Sequence, residues 1–234
     1  MTVKINDRYI ADGGFYINLD SRIDRKEKVE QQLSKFNITG VQRMPAVIKG
    51  QYAGCGESHK NIIKTAIANN MKSVLVFEDD FYIMDPPSDG FKPTEQTFTD
   101  LFIDILDQAD TVDWDVLFFG TILHSPLDRV TKNLGKIKSA KSAHAFIIKE
   151  SLYEYILNWS YEQYDQLDHY FYTTLQKSHT FLTTHPALIN HGHPNEDFSD
   201  LLKRNTTYYY YLLSTYQEFC KDFHEQQYID LRVS

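Results

Sequence analysis

Short apolar runs recur along the chain, each followed by a polar turn or by a stretch with apolar residues three or four apart. The first run, Phe15-Tyr-Ile-Asn-Leu19, follows Gly13-Gly14 and reads as a buried strand. Asp20-Ser21 then offers a helix N-cap, with Asp24 three residues after Ser21. From Arg22 to Phe36, Ile23, Val29, Leu33 and Phe36 recur at helical spacing. A strand followed at once by a helix opens an α/β unit.

The pattern continues in the same alternation. Gly50 to Gly56 reads as a small-residue loop containing Cys55, and Ser58 as the cap of a helix carrying Ile62, Ile63, Ala66 and Ile67, ending at Asn69-Asn70. Val74-Leu-Val-Phe77 is apolar without alternation, as in a central strand covered on both faces, and stops at Glu78-Asp79-Asp80. Residues 85–100 read as loop, Phe98 to Ala109 as helix and Val116 to Phe119 as strand. Residues 121–142, with Lys132, Lys136, Lys138 and Lys141, read as a flexible basic loop with a short strand near 136–139. Ala143 to Ile148 is a strand, Glu150–Trp159 and Asp165–Gln176 are helices, and Thr180–Ile189 is a strand before the turn His191-Gly-His-Pro194. The order predicts an α/β fold with a mostly parallel central sheet. One domain is expected over residues 1–234, with 202–234 a helical C-terminal extension.

Composition narrows the functions. The 24 Lys+Arg against 32 Asp+Glu leave a formal net charge of −8, which argues against a nucleic-acid binder, for that needs a basic face. An acidic chain should also repel a phosphate ligand unless something inverts the local field. Aromatic residues make up 14%, enough to argue against disorder of the body. Cys55 and Cys220 are too few for a disulfide framework and read as free thiols. No run reaches the roughly 20 apolar residues of a membrane span, and the first residues lack a signal-peptide core. The expected setting is cytoplasmic, with peripheral membrane contact allowed; sequons at Asn37, Asn158 and Asn205 are then chance matches.

The acidic triplet carries most of the chemistry. Ligands of open α/β sheets bind at the carboxyl ends of strands. Three carboxylates gathered there repel one another unless a divalent cation neutralises them, and oxygen donors select hard ions such as Mg²⁺ or Mn²⁺. The plainer alternative is a solvated acidic turn.

Several blocks, taken together and in order, resemble glycosyltransferase family 25. They are Tyr16-Ile-Asn-Leu-Asp-Ser-Arg-Ile-Asp-Arg25, Gly54-Cys-Gly-Glu-Ser-His59, Val74-Leu-Val-Phe-Glu-Asp-Asp80, Asp113-Trp-Asp115, His144-Ala-Phe-Ile-Ile148, Pro186-Ala-Leu-Ile189 and Phe198-Ser-Asp200. The late block departs at Asn190-His191, where many members carry Gln. The resemblance implies a GT-A-like, Rossmann-type nucleotide-diphospho-sugar transferase fold. It also implies transfer of a hexose from a UDP-sugar to a hydroxyl of a glycan, lipooligosaccharide or protein, with inversion.

Within that expectation Glu78 and Asp80 are the metal ligands, being the outer positions of an acidic-x-acidic motif, and His191 or His193 is a further ligand. Asp79 points away, toward the helix layer or a ribose. Asp168 is the base by resemblance, with Asp165 three residues away on the same helical face; dipole compensation at a helix start is the structural alternative. Asn18, Asp20, Arg22 and Arg25 are donor-binding candidates. Ser58 and His59, at a helix start, are candidates for phosphate contact. Cys55 is a packing residue and Tyr208–Tyr211 pack against the domain. The competing functions are a non-catalytic sugar-nucleotide or glycan-binding relative and a Mg²⁺-dependent phosphate-handling enzyme.

Overall fold

The computed structural model describes residues 2–88 and 94–191. Its strands are β1 (Val3–Ile5), β2 (Arg8–Ala11), β3 (Gly13–Asn18), β4 (Ile38–Thr39), β5 (Val41–Pro45), β6 (Ser73–Glu78), β7 (Phe81–Ser88), β8 (Val116–Phe118), β9 (Ile122–Leu123), β10 (Asp128–Arg129), β11 (Leu134–Lys136), β12 (Ala140–Lys141), β13 (Ala145–Lys149), β14 (Phe181–Thr184) and β15 (Ala187–His191). Its helices are α1 (Ile23–Lys35), α2 (Gln51–Ala68), α3 (Phe98–Ala109), α4 (Tyr153–Asn158), α5 (Tyr161–Tyr164) and α6 (Leu167–Thr173).

Eight strands form the main sheet in the order β10-β11-β14-β8-β13-β6-β3-β5. Following the pairings across it, all but β11 and β13 run the same way, so the sheet is mostly parallel in direction as expected. Alternate residues of β6 feed opposite faces. Leu75 and Phe77 join Val29, Leu33, Phe98 and Phe102 under α1 and α3. Val74 and Val76 join Ile62, Ile63, Ile156 and Phe171 under α2, α4 and α6. This two-sided burial is why β6 is an unbroken apolar run. Helix α3 starts where Thr97 accepts from the Asp100 amide at 3.2 Å, a side-chain cap.

Several expectations are corrected. Gly50 to Gly56 is not a loop, because α2 begins at Gln51 and Ser58 lies inside it. The Ser58 hydroxyl donates to the Gly54 carbonyl at 2.7 Å and accepts from the Val47 amide at 2.8 Å. The glycines serve close packing. A Cβ on Gly56 would overlap the Trp159 ring, and one on Gly54 would overlap the Val47 carbonyl. Asp165 and Asp168 do not share a helix: Asp165 ends α5 at φ 62°, and α6 starts afterwards at Leu167.

Residues 121–142 are built into the fold rather than forming a free basic loop. β10 and β11 extend the main sheet, β9 pairs with β12, and Leu123, Leu127, Leu134, Ile137 and Ala140 are buried. The stretch expected as a loop from 85 begins inside β7, which pairs with β15. The single late strand is two, because the chain leaves the main sheet after Thr184 and re-enters pairing at Ala187. The hairpin β1–β2 and the edge strand β5 have no counterpart in the sequence expectation. The C-terminal extension, His193, Phe198-Ser-Asp200 and Tyr208–Tyr211 lie outside the described residues. Among the described residues, no helix is long and apolar enough to cross a membrane.

Candidate functional site

Strands β3, β5 and β6 are parallel neighbours, so their carboxyl ends form one edge, with Ile17 paired to Glu78. The acidic triplet emerges there, between β6 and β7.

One half of the edge is a braced ion network. The Asn18 amide donates to Asp79 Oδ2 at 2.7 Å and to the Arg22 carbonyl at 3.0 Å. Asn18 Oδ1 accepts from Arg43 Nε at 2.9 Å, and Arg43 also pairs with Asp20. Arg25, on α1, donates to Asp79 Oδ1 at 2.7 Å and lies 3.4 Å from Asp80 Oδ2. Asp79 therefore turns toward α1 and β3. Arg22 instead forks onto Asp24, at 2.9 and 2.7 Å.

The other half is Glu78 with α2. Cys55 and His59 lie four residues apart on one face of that helix. The Cys55 thiol donates to Glu78 Oε1 at 3.3 Å, and His59 Nε2 lies 4.0 Å from the same oxygen. His59 Nδ1 lies 3.0 Å from the Cys55 carbonyl. A carbonyl only accepts, so Nδ1 carries the proton and Nε2 presents its lone pair. Burial pushes the His59 pKa down to about 4, which keeps the ring neutral. Burial first, then the Asp80 charge, pushes Glu78 up to about 8. Glu78 keeps 28% of its side-chain surface open, so water screens part of that repulsion. Burial and Glu78 push the Cys55 thiol up as well.

Asp168 approaches from α6. It accepts from the Ser142 amide at 3.2 Å, and its charge acts on Glu78, His59 and Cys55. Ser142 holds φ 82°, a backbone strain that a non-glycine residue adopts only where its surroundings enforce it. Its hydroxyl contacts His144 Nδ1 at 2.7 Å, and His144 Nε2 reaches the Ile189 carbonyl at 3.0 Å. The His144 carbonyl accepts the Glu78 amide at 2.9 Å. Residues 142–144 thus tie Asp168, Glu78 and β15 together.

The structure gathers Asn18, Arg25, Asp79, Asp80, Glu78, His59 and Asp168 at one edge, with Asp20 joined through Arg43. Asp165 is exposed and Ser58 is turned into α2 packing, so neither joins them, and Ser58 and His59 do not open a helix. His191 pairs with Phe81, next to Asp80, in the β15–β7 register. Arg43, Cys55, Ser142 and His144 were not assigned to the site from sequence. Cys55 and His59 carried a legible signal, the four-residue spacing, once α2 is started at Gln51. Glu78 and Asp80 repel each other and offer only oxygen donors, a set that suits a hard divalent ion.

No protein-family model matches the chain, and no curated protein matches it. Solved structures similar to it include three of low identity. One is a glycosyltransferase involved in glycosylation of the major capsid of PBCV-1, 10% identical, TM-score 0.41, covering 73% of this chain and 79% of that one. Another is a UDP-glucose pyrophosphorylase complexed with UDP-glucose, 7% identical, TM-score 0.43, covering 74% and 72%. The third is a nucleoside-diphosphate-sugar pyrophosphorylase from Vibrio cholerae RC9, 12% identical, TM-score 0.40, covering 81% and 80%.

Proposed function

We propose that the protein is a nucleotide-sugar-dependent transferase, and specifically a glycosyltransferase of the family 25 type. It moves a hexose from a UDP-sugar to a hydroxyl of a glycan, lipooligosaccharide or protein. The observation that carries this reading is that Glu78, Asp80 and Asp168 lie near the carboxyl edge of a mostly parallel sheet, close enough for the charges of Asp80 and Asp168 to act on Glu78. Such edges are where open α/β sheets take their ligands.

Asp80 and Glu78 would hold Mn²⁺ or Mg²⁺, which when bound supplies charge for a diphosphate leaving group. Arg25 sits beside Asp79 and Asp80 and adds a fixed positive charge to the same edge. Asp168, anchored by the Ser142 amide, is the group to take the acceptor proton. Inversion rests on the family resemblance alone. The net charge of −8 and a phosphate-bearing donor are compatible in this reading, because a cation held there would offset the local negative charge.

The test is a panel of UDP-sugars in thermal-shift and donor-hydrolysis assays, with Mn²⁺, with Mg²⁺ and with EDTA. Metal-dependent stabilisation together with hydrolysis supports the transferase. Stabilisation without turnover, with or without a glycan acceptor, supports a binding-only relative instead.

A further inference from the structure

Cys55 is a poor choice for a site that only needs oxygen donors, yet its sulfur sits in the acidic cluster. Cys55, His59 and Glu78 offer one sulfur, one nitrogen and one oxygen, all within 4.8 Å of one another. In a four-coordinate zinc site the metal lies about 2.3 Å from sulfur and about 2.0–2.2 Å from nitrogen and oxygen, so neighbouring ligand atoms are roughly 3.3–3.6 Å apart. Here Sγ to Oε1 is already 3.3 Å, and Nε2 to Oε1 is 4.0 Å. Sγ also lies 3.8 Å from Nδ1 of the same ring, so ligation through Nε2 requires rotation of the Cys55 and Glu78 side chains.

The imidazole is prepared for ligation. His59 is only 3% exposed, and its Nε2 has no hydrogen-bond partner. A buried polar atom left unpaired is costly and calls for an explanation. The Nδ1 contact to the Cys55 carbonyl fixes the tautomer that leaves the Nε2 lone pair facing Glu78, as outer partners commonly do for metal-bound histidines. Asp80 and Asp168 add negative charge around the same point. A cation there would relieve repulsion that Arg25, engaged by Asp79 and Asp80, does not reach.

We propose that Cys55 Sγ, His59 Nε2 and a Glu78 carboxylate oxygen form a binding site for a borderline-soft divalent ion of the zinc type. The site is distinct from the hard-ion position at Asp80 and shares Glu78 with it as a bridging carboxylate. On binding, the Cys55 S–H bond and, where Glu78 holds its proton, the carboxyl O–H bond break, the protons pass to solvent, and sulfur–metal and oxygen–metal bonds form. The ion pins α2 to the end of β6 and fixes the direction in which Glu78 presents its second oxygen. Three protein ligands leave a fourth coordination position open.

The test uses the full chain, stripped with EDTA and titrated with Co²⁺ as a spectroscopic probe. One equivalent should produce a thiolate-to-cobalt charge-transfer band and intense visible bands of four-coordinate cobalt, and Zn²⁺ should displace both. Cys55→Ala should abolish the charge-transfer band, whereas Cys220→Ala should leave it. His59→Gln should weaken Co²⁺ binding by more than the roughly 10–100-fold that loss of an outer partner costs. Asp80→Asn should keep the band while losing any UDP-sugar response, so failure of the donor reading and failure of this site are separable. A folded wild-type chain without a thiolate band, or a band that survives Cys55→Ala, would overturn the proposal.

Discussion

Asn18 and Asp79, 61 residues apart, are joined by a 2.7 Å hydrogen bond that ties the end of β3 to the turn after β6. Asn18 is 2% exposed, and its amide is committed on both sides, to Asp79 and Arg22 as donor and to Arg43 as acceptor. It braces the acidic turn from beneath. Asn18→Ala removes the hydrogen-bond partner of Asp79 Oδ2 and of Arg43 Nε, both half-buried, at a cost of about 1–3 kcal/mol. For a chain of this size that lowers the melting temperature by roughly 2–4 °C per kcal/mol. Thermal melts and urea titrations of the metal-free protein check this; an unchanged midpoint removes the bracing role.

Arg25 opposes the charge of Asp79 and Asp80. In Arg25→Gln the two carboxylates lose that partner, and the protein in EDTA becomes less stable. Because the group competing for Asp80 is gone, Mn²⁺ binds more tightly and restores part of the loss. Calorimetric Mn²⁺ titration of wild type and variant reads both effects. Weaker Mn²⁺ binding in Arg25→Gln would show that Arg25 supports the ion rather than competing with it.

Glu78 gives the metal-free protein a pH dependence of known sign. Its folded pKa, near 8, lies above the ordinary 4.5, so the folded state holds the proton more tightly than the unfolded chain. Its contribution is fully present below about pH 4.5 and is lost as the pH rises through 8. In EDTA, Glu78→Gln should therefore flatten the decline in melting temperature between pH 5 and 8, and should be more stable than wild type at the upper end. An equal slope in both proteins would place the titrating group elsewhere.

Gly56 faces Trp159 across the α2–α4 contact, with no room for a Cβ. Gly56→Ala should destabilise by about 1–3 kcal/mol through overpacking, despite alanine's better helix propensity. Chemical denaturation measures it. A stabilised variant would mean that the glycine is there for flexibility.

The strands around the site were legible where burial on both faces left continuous apolar runs, as in Val74–Phe77 and Val116–Phe119. The strand β5 was hidden because Val41, Arg43 and Met44 are only half-buried at a sheet edge, so no periodicity marks them. Arg43 was missed with it. The start of α2 is masked in the sequence because Gly54 and Gly56 look like turn residues, whereas their missing side chains admit Val47 and Trp159. The same masking makes Ser58 and His59 look like a helix start, whereas both lie inside α2. Asp168 and Glu78 were readable only as separate acidic residues. Their approach depends on Ser142, whose backbone no sequence pattern announces.

The most direct test of the account is hydrolysis and transfer of a UDP-hexose by the purified chain, with Mn²⁺ or Mg²⁺ present and after EDTA, in wild type and Asp80→Asn. Metal-dependent turnover that EDTA abolishes and that falls by at least about 100-fold in Asp80→Asn is the predicted result, the order of effect of removing an electrostatic transition-state contact. Turnover unaffected by EDTA and by Asp80→Asn would contradict it.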